Sequence, residues 1–228
     1  MPAQPKKLKK QLIVAIVLIA CLCMGLVDAL WQPTYFIKSA VKIGLFLLLP
    51  ALYGLYDREF RVKSLFTPDK RGLGLALLLG GAVYSVVVGA YFLFRGIFDF
   101  SAITSSVTDA VGVSRDNFLP VAIYISFANS LLEEFFFRGF AFLTLKKVAG
   151  RRFAYLFGAG MFAVYHIAMM IGWFALPVVL LALLGLFLGG VIFSYFNERY
   201  DNIYLSWLIH MFANFATNTI GFILFAAA

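Results

Sequence analysis

NSLLEEFFFRGFAF, residues 129–142, sets two adjacent carboxylates and an arginine inside an otherwise apolar run. An ionisable side chain at bilayer depth costs several kcal/mol unless it is paired or hydrated, so each such residue points to function. On an α-helix Glu134 and Arg138 are four residues apart, share a face and can pair. Glu133 is turned about 100° away, toward whatever lies beside the helix. One carboxylate therefore has a partner in its own helix, and the other needs one from elsewhere.

The chain has only two histidines, His166 and His210, and both lie inside other apolar runs, MFAVYHIAMM (161–170) and SWLIHMFANF (206–215). Asn214 follows His210 by one helical turn and shares its face. The 228 residues are 63% hydrophobic and 13% charged, with a mean hydropathy of +0.93. Apolar runs of about 20 residues recur along the whole length, which excludes a soluble domain. The expected fold is all-α, a polytopic transmembrane bundle of seven spans. Their expected bounds are 11–30, 35–56, 72–94, 118–145, 153–171, 174–196 and 203–225. Residues 1–228 read as one integral-membrane domain, with the motif-bearing region over 118–225.

The net charge of +8 is read as topology rather than as a nucleic-acid surface. KKLKK (6–10), the basic residues of the 57–71 loop, KKVAGRR (146–152) and Arg199 all fall on one side if the N-terminus is cytoplasmic, which places the C-terminus outside. The basic start reads as the flank of a retained first helix, since no small-residue cleavage site follows it. Asp28, Trp31 and Pro33 are expected at the far interface, and Lys38 and Lys42 are expected to snorkel to the near one. Cys21 and Cys23, pointing about 200° apart on a helix, suit packing rather than a disulfide or a metal. Glycines of the third span (Gly72, Gly74, Gly80, Gly81 and Gly89) would allow close helix approach. The polar interval 95–117 reads as an extramembrane loop or a lid. The Phe135–Phe142 aromatics read as lipid-facing surface, or as the wall of a groove for an apolar peptide.

Counting about 1.5 Å per residue from the cytoplasmic ends, Glu133, His166, His210 and Asn214 fall in one layer roughly 11–20 Å deep. A carboxylate held in a low-dielectric cavity is a good base at neutral pH. His166 can orient the water or share its proton, and His210 with Asn214 can present N–H donors to an oxyanion. Such a set hydrolyses an amide by direct water attack. Glu133, His166 and His210 could instead ligate zinc, although the spacing is not H-E-x-x-H. The same residues also suit a proton-coupled carrier, or a scaffold that sequesters a peptide as an immunity protein would.

EEFFFR (133–138) fits E-E-x-x-x-R, Phe162 to His166 fits F-x-x-x-H, and His210 to Asn214 fits H-x-x-x-N, in that order on three apolar segments. The trio resembles the CAAX protease and bacteriocin-processing (Abi) family of intramembrane endopeptidases, which includes the Ras-converting CAAX endopeptidase. That resemblance implies a glutamate-type peptidase without a metal cofactor, acting on a membrane-anchored peptide or protein. It implies that Glu133 and His166 activate water, that His210 and Asn214 form the oxyanion site, and that Glu134 and Arg138 support the architecture. The compact, lysine-flanked chain looks bacterial or archaeal, with the plasma membrane as its expected location.

Overall fold

A computed structural model describes residues 5–60, 62–66, 70–97, 108, 112–170 and 176–227. Among these residues every regular element is helical, and seven helices are long and apolar enough to cross a membrane. They are Lys6–Trp31, Tyr35–Tyr56, Leu73–Phe94, Phe118–Ala149, Arg151–Met170, Leu176–Tyr200 and Tyr204–Ala227. The order and number agree with the hydropathy reading. The first helix begins earlier than hydropathy suggests, because Lys9 finds partners. Its ammonium donates to Asp57 at 2.9 Å and Glu59 at 2.7 Å, closing the ends of the first two spans together. Most of the 95–117 interval lies outside the described residues.

The third span packs along the seventh and the fifth along the sixth. Gly80 lies against Phe212, where a Cβ would approach the ring to 2.6 Å, whereas Gly74, Gly81 and Gly89 have nothing within 4 Å. Gly72, where a Cβ would meet the Tyr200 ring at 2.6 Å, is the other of the five expected glycines that supplies a close approach. The fifth and sixth spans meet where a Cβ on Gly190 would come within 3.0 Å of Ala159.

The largest core lies between the first, second, fourth and fifth spans, and it is aromatic. Phe46 stacks on Phe136 with centroids 4.1 Å apart, and Tyr165 meets Phe46 edge-on at 5.2 Å. Phe135, Phe136, Phe137, Phe140 and Phe142 are all buried, so they neither face lipid nor line an open groove. Offset and edge-on ring contacts add about 0.5–1.5 kcal/mol each beyond area burial, which suits a bilayer, where helices associate by packing rather than by hydrophobic exclusion. Cys21 packs in the same core, and both cysteines are free thiols.

Four stretches are wound as wide i→i+5 turns, Val27–Trp31, Gly44–Leu48, Ile125–Asn129 and Glu134–Thr144. Wide turns loosen a helix's own ladder and cluster where side chains do unusual work. In the fourth span, side chains of the seventh use the loosened carbonyls. Asn214 Nδ2 donates to the Ile125 carbonyl at 3.0 Å and Trp207 Nε1 to that of Phe127 at 3.1 Å. One turn away, Asn218 Nδ2 reaches the Ala122 carbonyl at 3.1 Å and Ser126 Oγ at 2.9 Å. Asn197 ties the sixth span to the start of the seventh, donating to the Asn202 carbonyl at 2.7 Å and Ser206 Oγ at 2.8 Å. These bonds fix the rotation of the seventh span, and with it the direction of His210.

Candidate active site

Glu133, at 2% exposure, is the hub of a buried polar centre built from four spans. Its two oxygens have different neighbours. Oε1 accepts from Lys42 Nζ at 2.5 Å and from Asn129 Nδ2 at 3.1 Å. Oε2 faces both imidazoles, with His166 Nε2 at 3.9 Å and His210 Nε2 at 3.7 Å. Those gaps are too long for a direct hydrogen bond.

The opposite nitrogens of both rings are engaged, which fixes their tautomers. His166 Nδ1 lies 2.7 Å from the Phe162 carbonyl, which can only accept, so Nδ1 carries the proton and Nε2 presents a lone pair. His166 also ends the Arg151–Tyr165 helix, its backbone N–H reaching back to Ala163 at 3.1 Å. Its ring therefore leaves the helix at a break rather than from mid-turn. His210 Nδ1 lies 2.9 Å from Glu134 Oε1. That carboxylate needs a donor, so this ring too carries its proton on Nδ1 and turns Nε2 toward Glu133.

Glu134, fully buried, is shared between His210 and Arg138, whose Nη1 stands 3.3 Å from Oε1. The pair is in charge contact without hydrogen-bond alignment, since neither Arg138 Nη atom nor Glu134 Oε2 has a hydrogen-bond partner among the described residues. Aromatic faces hold the guanidinium, with Phe162 3.9 Å and Phe193 5.0 Å from its carbon. The pair anticipated from i, i+4 spacing is therefore a three-group line, Arg138–Glu134–His210, running between spans.

The structure brings together Glu133, His166 and His210, and through His210 also Glu134 and Arg138. Asn214 sits one turn farther along the seventh span and spends one amide N–H on the Ile125 carbonyl, leaving the other unassigned.

Sequence reasoning missed Lys42 and Asn129. Lys42 does not snorkel. It is 5% exposed and bonds Glu133 and also Asn129 Oδ1, at 2.5 Å. Lys38 pairs with Asp28 at 2.6 Å, near the end of the first span, and the Asp28 side chain is covered. Charge balance was the available signal: a carboxylate that deep requires a cation, and the second span carries two. Asn129, four residues before Glu133, shares its helix face.

Tetrahedral zinc with bonds of about 2.0–2.1 Å needs ligand atoms roughly 3.3 Å apart. Glu133 and the two histidines are wider than this, and among the described residues no group of three or more His, Cys, Asp or Glu is arranged to hold a metal ion. Lys42 supplies a positive charge at the other oxygen of Glu133.

Fold and centre define a polytopic membrane protein whose ionisable residues converge on one buried hub. Residues 115–216, which carry all three motifs, match the family described as type II CAAX prenyl endopeptidase Rce1-like. Comparison with curated proteins and with solved structures found no match.

Proposed function

We propose that the protein is a glutamate-type intramembrane endopeptidase that cleaves a membrane-anchored peptide or protein by direct attack of water. The observation that carries this reading is the division of labour on Glu133, one oxygen bound by Lys42 and Asn129 and the other turned to the Nε2 atoms of two imidazoles across a gap that suits water. A water there donates one hydrogen to Glu133 Oε2 and the other to His166 Nε2, which leaves its lone pair for the scissile carbonyl.

As the C–O bond forms, Glu133 takes the proton. As the C–N bond breaks, the same proton passes to the departing amine, so one carboxyl group serves first as base and then as acid. The developing oxyanion is assigned to His210 and the second amide N–H of Asn214. His210 donates from Nε2 in its imidazolium form, which takes its second proton from solvent before attack, keeps it through the cycle, and pairs with Glu134 on the far side of the ring. Oxyanion donors of this kind contribute about 2.7–4 kcal/mol each. No metal enters the scheme, and the basic loops support a cytoplasmic N-terminus.

The test uses purified protein in lipid vesicles with membrane-anchored peptides. Cleavage with turnover that survives chelation and disappears in Glu133→Gln supports the reading. Binding without cleavage would instead favour a scaffold, and loss of activity on chelation with recovery on added zinc would favour a metallopeptidase.

A further inference from the structure

We propose that Lys42, from the second span and outside the region matched to the family, is a positioning residue that acts through Glu133. This rests on the reading of Glu133 as the water-activating carboxylate. A lysine ammonium has three N–H donors. Two are placed, on Glu133 Oε1 and Asn129 Oδ1, each at 2.5 Å. Its remaining surface faces the rings of Tyr165 at 5.0 Å and Phe46 at 5.6 Å.

Asn129 closes a triangle by donating Nδ2 to the same Glu133 oxygen at 3.1 Å. Oε1 is thereby saturated and held from two directions. The carboxylate cannot swing without breaking charge-assisted bonds, which are about twice as strong as neutral ones. Oε2 is consequently kept 3.9 and 3.7 Å from the two Nε2 atoms. If Lys42 is removed, Oε1 keeps only the Asn129 bond and the carboxylate is free to swing, so Oε2 no longer holds its place opposite the two imidazoles. The cost falls on the chemical step, because Lys42 is buried and its ammonium is spent on Glu133 and Asn129.

Lys42→Met and Lys42→Arg are compared with the parent in lipid vesicles, with rates expressed per folded molecule. Lys42→Met is expected to lower kcat on the order of 100-fold, the loss produced by misplacing a reacting group by about 1 Å, with KM within about twofold because kcat-only losses mark transition-state interactions. Lys42→Arg keeps the charge, but its planar fork does not match two acceptors between the rings, so a loss of about tenfold is expected.

Melting gives a readout that does not depend on activity. Lys42→Met should lower Tm in the parent and lower it much less in a Glu133→Gln background, where no charge is left unpaired. A parent-like kcat in Lys42→Met while Glu133→Gln is inactive would overturn the role of Lys42 and leave the reading of Glu133 standing. An active Glu133→Gln would overturn both. If Lys42→Met yields no folded protein, Lys42→Arg decides: a kcat within twofold of the parent overturns the proposal.

Discussion

Replacing Arg138 with Met isolates the support for the centre from its chemistry. Arg138 is buried at 1% exposure and is the cation 3.3 Å from Glu134, a carboxylate with no exposure at all. Removing one member of a buried pair leaves the other charge uncompensated and costs about 3–5 kcal/mol. Loss of the guanidinium from the Phe162 face, 3.9 Å away, is worth about 1 kcal/mol within that range. For a chain of this size each kcal/mol moves Tm by about 2–4 °C, so the expected drop is on the order of 10 °C. The assay is thermal unfolding in one detergent, followed by helical signal. A double variant, Arg138→Met with Glu134→Gln, should melt above the Arg138→Met single variant, because no unpaired charge remains. If Arg138→Met melts within about 2 °C of the parent, or if the two changes simply add, the pair carries no such load and the reasoning fails.

Phe136→Ala removes a fully buried ring stacked on Phe46 and should destabilise by about 3–5 kcal/mol, measured by the same melt. A loss under about 1 kcal/mol would mean the aromatic core collapses to fill the space. Asp57 lies just beyond the second span. Burial pushes its carboxyl up, but hydrogen bonds from Lys9, Tyr53 and the Glu59 N–H outweigh this and hold it below the ordinary 3.8. Its contribution is therefore in place above about pH 4, the unfolded value, and fades as pH falls through the lower folded value. Asp57→Asn should cost about 1.5–3 kcal/mol at pH 7, the range for bonds to a charged group, and progressively less in melts taken below pH 4. A parent–variant gap that does not change with pH would contradict this.

The seven spans were readable because long apolar runs in a chain of 228 residues leave little else to build. The convergence of Glu133 with His166 and His210 was readable because polar residues were so scarce at that depth. Lys42 was misread because a lysine eight residues into a span can either snorkel or turn inward. Only the position of Glu133 across the bundle decides between them. The wide turns of Ile125–Asn129 and Glu134–Thr144 were not legible, since i→i+4 and i→i+5 winding use the same residue types. The burial of Phe135 to Phe142 was hidden for a related reason: a helix apolar on every side has no polarity contrast to say which face meets lipid.

The most direct measurement sets single-turnover cleavage of a membrane-anchored peptide by Glu133→Gln beside its affinity for the same peptide. The amide keeps an oxygen for Lys42 but cannot take a proton from water. Cleavage should fall on the order of 10²–10⁴-fold, the range for a lost general base, while Kd stays within about twofold. A Glu133→Gln protein that binds the peptide and cleaves it within tenfold of the parent rate would contradict the assignment of water activation to this carboxylate.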